Sequence, residues 1–359
     1  MTAVVEDVSA DRTGVKRPEL LGFGALVVAG ALLAAVGTRL LTGTLAVIAL
    51  SLVFASVLML VFVAVAGTPE TRRKLAPYGL LKPGMLWLAL FYLAPLFTLL
   101  RLSLSTLPSR FAVDAEFDWN FDNYIDAFTD FGPQFQRAFV YAGIATLLTI
   151  AIGYPLAYVI AFRGGKYRTL LLGLVVIPFF TSFLIRTIAW RSLLSDQGAI
   201  VGTIETLRLD WLFEALRIMD DGRLINTPAA VIFGLTYNFL PFMILPIYVS
   251  LEKIDIRLLD AAKDLYSTST SAFAKIVVPL SLPGIFAGTL LTFIPAAGDF
   301  INSLYLGSPN TTMIGNSIQD QFLVQNNVPL ASAMSFVLMF IITVFVIIYS
   351  RFFGTEDLA

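Results

Sequence analysis

The chain has 359 residues, of which 57% are hydrophobic and only 14% charged, with a mean hydropathy of +0.82. That composition is too apolar for a water-soluble domain and belongs in a bilayer. A net charge of −1 lacks the basic excess that nucleic acid requires, and the absence of Cys and His removes disulfides, thiol chemistry, the usual zinc sites and every His-based triad.

A bilayer core needs about 20 predominantly apolar residues per helix, and on that measure the sequence predicts an all-α, polytopic transmembrane bundle of eight spans. A tail, residues 1–19, carries Arg12, Lys16 and Arg17. Two spans follow, at 20–42 and 44–67, parted only by Thr42-Gly43-Thr44, so that residues 20–67 read as a tight accessory hairpin. A basic patch before an apolar stretch also fits a secretory signal, but this stretch is longer than a signal core and leads at once into a second span. It reads as an uncleaved anchor. Six further spans are predicted at 83–104, 138–162, 169–190, 228–251, 280–304 and 328–350.

Orientation follows from where Lys and Arg fall in the short connections. With both termini in the cytoplasm, the inner segments hold Arg72, Arg73, Lys74 and Lys82, then Arg163, Lys166 and Arg168, then Lys253, Arg257, Lys263 and Lys275, and lastly Arg351. The outer connection 105–137 is acidic, with Asp114, Glu116, Asp118, Asp122, Asp126 and Asp130, while 191–227 carries scattered arginines.

The inner segment from about 255 to 279 is amphipathic. At 100° per residue, Arg257, Asp260, Lys263 and Asp264 fall on one arc, and Leu258, Leu259, Ala261, Ala262 and Leu265 on the other. Asp255 is placed to cap this helix, and a hydroxyl of the run 267–271 to cap a second one that ends near Pro279. Two readings fit: a docking element for a soluble partner, or an interfacial helix resting on lipid.

The spacing Asp260-Ala261-Ala262, three residues, Tyr266, nine residues, then Ile276-Val277-Val278-Pro279 resembles the EAA motif of ABC importer permeases. Asp260 stands for Glu and Val278 for Leu. Tyr266 stands where the family has the glycine that makes a turn, a position where Tyr at positive φ is strained. The resemblance implies a type I ABC importer permease (MetI-like) fold, with Asp260, Ala261, Ala262, Asp264, Leu265, Tyr266, Ile276 and Pro279 coupling the chain to an ABC ATP-binding subunit.

Further stretches are similar to the PotB-type permeases of spermidine/putrescine importers. They are Asn120-Phe121-Asp122-Asn123-Tyr124, Gly153-Tyr154-Pro155-Leu156-Ala157-Tyr158, Ile177-Pro178-Phe179 through Arg186, Tyr237 through Met243, Ile294 through Gly298, and Met313 through Asn316 with Gln321-Phe322. The likeness covers residues 80–353, a six-span core, and implies uptake of polyamines by alternating access. Other solutes carried by relatives (thiamine, opines, iron complexes, other amines) are the alternative, and a self-sufficient secondary transporter is a further one. The implied partners are the ATP-binding subunit, a second, PotC-like permease, an extracytoplasmic substrate-binding protein and membrane lipid, in a bacterial inner membrane. The chain has no phosphate-binding loop, since Gly164-Gly165-Lys166-Tyr167 lacks both the glycine spacing and the hydroxyl. ATP and Mg²⁺ therefore belong to the partner, and this chain is expected to be no enzyme and to hold no metal or cofactor.

Intramembrane polar groups mark candidates for the solute path. Asp299 suits an ammonium group, or it forms a structural pair with Arg186. Tyr237 and Asn238 offer a ring face and an amide to a cation, or ordinary interhelical hydrogen bonds. Tyr154 beside Pro155 is a further candidate, and Phe179 and Phe180 read as packing.

Overall fold

The computed structural model describes residues 88–108, 115–255, 257–258 and 268–353. The tail 1–19, the hairpin 20–67 and the central docking residues Asp260, Ala261, Ala262, Asp264, Leu265 and Tyr266 lie outside the described residues. The chain divides into two compact units after Leu99. Helix α1 (Ala94–Ser103) runs across the division behind a π-helical turn, Ala89–Leu93, and every later element belongs to the second unit.

After α1 come a two-residue strand pair, β1 (Ser105–Thr106) with β2 (Glu116–Phe117), and the long helix α2 (Asp122–Tyr158), which continues through a π turn, Val159–Arg163. Next are α3 (Arg168–Val176), a 3-10 turn (Ile177–Phe180), α4 (Phe183–Leu194), α5 (Ala199–Thr206) and α6 (Asp210–Ala215). Then follow α7 (Pro228–Glu252), α8 (Ser269–Ala272), a π turn (Phe273–Val277), α9 (Val278–Ala297), α10 (Ile301–Leu306), α11 (Ile314–Leu323) and α12 (Val328–Phe353).

Four helices among the described residues are long and apolar enough to cross a membrane, and a fifth span is reached if Gly165–Phe180 and Phe183–Thr206, which meet at 95°, are one. The described chain thus shows four or five spans, not eight. Helix α7 is the centre of the bundle, with 67% of its apolar window buried against 28% for α12. It packs on α2 and α9. On α9, Gly284 and Gly288 stand four residues apart, where small residues let helix backbones meet. A Cβ at Gly284 would lie 2.6 Å from the Pro246 carbonyl, and one at Gly288 2.7 Å from Met243 Sδ.

Four expectations are corrected. The connection 105–137 is not a loop throughout, because helix begins at Asp122. Buried Ala127, Phe135 and Ala138 supply a helical apolar stripe there, and the Asn123 amide donates to the carbonyls of Ser103 and Ser105, both at 2.9 Å. Tyr124 adds a hydroxyl pair with Ser103 at 2.7 Å. The whole helix to Arg163 has 42 residues, about 60 Å, so roughly half of it extends past an apolar layer of ~30 Å.

The span predicted at 169–190 is broken. Pro178 lies in the 3-10 turn, and Thr181 and Ser182 take extended ψ angles of 148° and 137° before helix resumes at Phe183. The connection 191–227 is built of α5, α6 and a tight turn at Asp220–Arg223, fastened by an Arg223–Asp196 ion pair at 3.3 Å.

The span predicted at 280–304 is shifted towards the N-terminus: its helix covers Thr270–Ala297 and stops at Gly298, before the short α10. Pro279 does not end the preceding helix as expected. In the π turn the Val278 N–H donates five residues back, to Phe273, so the register has already stepped where the proline withholds its donor. The expected hydroxyl cap is present, since Thr268 Oγ1 accepts from the Ser271 N–H at 3.2 Å.

Candidate functional site

Two places in the bundle gather the candidate residues. The first lies where α9 stops. Asp299 Oδ1 accepts from the backbone N–H of Asn302 at 2.8 Å and from its side-chain amide at 3.2 Å. Asn302 Oδ1 accepts from the Asn238 amide at 3.0 Å, and that amide also donates to Thr187 Oγ1 at 3.2 Å. Thr187, Asn238 and Asn302 are at most 1% exposed and Asp299 is 8% exposed, so one buried polar chain joins α4, α7 and the break after α9. Gly234 makes room for it, because a Cβ there would stand 2.6 Å from Asn302 Oδ1.

This arrangement fixes one oxygen of the Asp299 carboxylate and leaves the other without a hydrogen bond among the described residues. It also answers the alternatives for two residues. Asn238 makes interhelical hydrogen bonds, with its own Oδ1 left buried and unpartnered. Arg186 is not the partner of Asp299: its guanidinium lies over the rings of Phe179 at 5.1 Å and Phe183 at 5.6 Å, and its buried Nε has no acceptor. Phe179 is thus more than packing. The flat cation on a ring face recovers part of what desolvation costs it.

Tyr237, next to Asn238, stays outside the polar chain. Its ring meets Trp190 edge-on at 5.2 Å, and both line an apolar cavity of about 630 Å³ with Leu194, Ile200, Phe213 and Leu240. Thr187 and Asn302 were not anticipated. A signal for Asn302 was present, since three residues after Asp299 is the spacing at which a carboxylate caps the following turn.

The second place lies at the Arg163 end of α2. Tyr154 pairs its hydroxyl with Ser281 of α9 at 2.9 Å, and because Ser281 gives its own proton to the Val278 carbonyl, Tyr154 is the donor. Its ring meets Phe273 edge-on at 5.8 Å, and Tyr158 meets the same Phe273 at 5.6 Å. Tyr154 is therefore an interhelical tie some distance along α2 from the Asp299 group. Ile276 is half-buried and Pro279 exposed in the helix that leads away from the docking segment. Nearby, Arg168 bridges to Glu252 at 3.0 Å and covers the Tyr248 ring, which fastens the turn after α2 to the end of α7. Among the described residues no group of His, Cys, Asp and Glu is placed to hold a metal ion.

A family described as "Binding-protein-dependent transport system inner membrane component" matches residues 150–354. The chain is 38% identical over 266 residues to the spermidine/putrescine transport system permease protein PotB of Haemophilus influenzae, covering 74% of this chain and 90% of that one. To the PotB protein of Escherichia coli K12 it is 36% identical over 275 residues, covering 74% and 93%. Among solved structures it is similar to a bacterial ABC transporter involved in import of the acidic polysaccharide alginate, with a TM-score of 0.58 at 18% identity, over 80% of this chain and 98% of that one. A bacterial alginate ABC transporter in complex with an alginate pentasaccharide-bound periplasmic protein gives a TM-score of 0.53 at 18% identity, over 79% and 95%. These two likenesses bear on the fold.

Proposed function

The chain belongs to the family of binding-protein-dependent transport system inner membrane components, and on that premise we propose that it is the membrane-spanning permease subunit of an ATP-driven importer of polyamines. The observation that carries the solute class is the likeness to spermidine/putrescine permeases along nine-tenths of their length.

In such an importer the Arg163 end of α2 faces the cytoplasm, in keeping with Arg163, Lys166 and Arg168. The docking residues Asp260, Ala261, Ala262, Asp264, Leu265 and Tyr266, with Ile276 and Pro279 behind them, engage an ATP-binding subunit that holds ATP and Mg²⁺. A second, PotC-like permease completes the path, and an extracytoplasmic binding protein delivers the solute. ATP drives transport only by binding one global arrangement of this assembly better than the other.

The bundle supplies a rigid part and two yielding parts. Helix α7, clamped to α9 by Gly284 and Gly288, is the rigid part. The breaks at Thr181–Ser182 and at Gly298–Phe300 are where helix segments pivot. Asp299 stands at the second break with one oxygen held by Asn302, and its other oxygen is offered to an ammonium group of the solute.

The test is reconstitution of this chain with its ATP-binding subunit, second permease and binding protein in vesicles, followed by ATP-dependent uptake of labelled putrescine and spermidine. Uptake of both is expected. A cognate binding protein that ignores both polyamines and takes another solute would defeat the solute class, and uptake by this chain alone on an ion gradient would defeat the ATP-driven mechanism.

A further inference from the structure

We infer that Phe273 is the positioning residue through which movement of the docking loop reaches helix α2. This rests on the chain's being an importer permease.

The helix that emerges from the docking segment starts at its Thr268 cap and meets the bundle within two turns. Of its described side chains before Val277, Thr270, Ala274 and Lys275 are exposed, and buried Ala272 offers only a methyl group. Phe273 is the large apolar group that enters the bundle first. Its ring is edge-on to Tyr154, with planes at 87°, and to Tyr158, with planes at 79°. Tyr158 rests in turn on Phe162 at 4.9 Å. Edge-to-face pairs are directional, so a ring held by two of them transmits displacement rather than sliding past.

The backbone on both sides is π-helical at this place. Phe273 opens the turn Phe273–Val277, and Tyr158 directly precedes the turn Val159–Arg163. A π turn is a one-residue register step inside a helix, and such steps gather where helices change shape. The contact thus joins the two points at which the docking helix and α2 are each able to shift register. Behind it, the Tyr154–Ser281 hydrogen bond holds α2 to the first turn of α9, so the three segments move together.

The experiment uses the complete transporter in vesicles and reads ATP hydrolysis and polyamine uptake from the same sample. With Phe273→Ala, hydrolysis stimulated by the loaded binding protein is expected to stay within about twofold of wild type while uptake falls about tenfold, the scale of two aromatic pairs lost from a coupling path. Phe273→Tyr, which keeps the ring, should retain the wild-type ratio of solute to ATP.

The chain has no native cysteine, so Tyr158→Cys with Phe273→Cys introduces a unique pair. That variant should be uncoupled when reduced and recover coupling when a short bis-maleimide joins the two thiols, a recovery that a merely structural role does not predict. Proportional loss of hydrolysis and uptake in Phe273→Ala, an unchanged ratio, or no recovery on cross-linking would overturn the role of Phe273. Absence of ATP-dependent uptake by the wild-type complex would instead overturn the importer function and this inference together.

Discussion

Asn238 and Asn302 share a hydrogen bond, Nδ2 to Oδ1 at 3.0 Å, that ties the central helix α7 to the segment just past Asp299. Both side chains are buried, so the bond sets the position of the carboxylate relative to the most buried helix of the bundle. Asn302→Ala removes the acceptor for Asn238 and a donor to Asp299 at once. Leaving such groups unpaired costs about 1–3 kcal/mol each, and the expected result is a lowered thermal midpoint in detergent together with reduced uptake.

Asp299→Asn keeps the shape of the side chain and removes its charge. If the carboxylate meets the solute's ammonium group, polyamine uptake falls at least about tenfold, the worth of ~1.4 kcal/mol, with assembly of the complex unchanged by size-exclusion chromatography. Since Arg186 lies on Phe179 and Phe183 and forms no pair with Asp299, adding Arg186→Met should not restore uptake. Recovery in the double variant would show that the two charges act on one another after all.

Gly288→Leu drives a side chain into Met243, whose Sδ and Cα stand 2.7 and 3.2 Å from the position of the first added carbon. Overpacking of this kind costs about 1–3 kcal/mol. The variant should unfold earlier on heating than Gly173→Leu, where the added carbon meets nothing within 4 Å. Equal midpoints for the two would contradict the close crossing of α7 and α9.

Tyr154→Phe removes the hydroxyl bonded to Ser281 and keeps the ring against Phe273. The loss is set near 0.5–1.5 kcal/mol by one hydrogen bond. Stability measured by chemical unfolding should drop by that amount while the ratio of solute to ATP stays at the wild-type value.

In the docking segment, Ala261→Arg places a long charged side chain where a small one lets the ATP-binding subunit approach, and it should uncouple hydrolysis from uptake. Tyr266→Gly should leave docking intact, because glycine takes the turn conformation at no steric cost. Co-purification of the ATP-binding subunit with each variant, beside an uptake assay, checks both. Normal transport with Ala261→Arg would be the contrary result.

Hydropathy made the spans legible because a bilayer demands long apolar runs, and α7 and α12 fall within two or three residues of their predicted bounds. It could not show where helices exceed or interrupt those runs. The polar turns of α2 from Asp122 to Arg137 carry a helical stripe that length rules for the membrane ignore. The break at Thr181–Ser182 lies inside a run that hydropathy treats as one span. Charge counting picked out Asp299 and Arg186 as the deepest opposite charges, yet it does not see that an asparagine amide and two phenylalanine rings satisfy them separately. Asn302 was hidden for the same reason: a polar residue in an apolar stretch gains meaning only from what the fold sets beside it.

Helix α2 has one end clasped by Ser103 and Ser105 through Asn123 and Tyr124, and the other held by Phe273 through Tyr154 and Tyr158. Being about 60 Å long, it acts as a lever. A tilt of roughly 5° about its middle carries each tip about 3 Å, enough to make or break a side-chain contact. Small rotations at one face of the membrane are thereby reproduced as contact-sized displacements at the other, with no change needed in the interior packing between them.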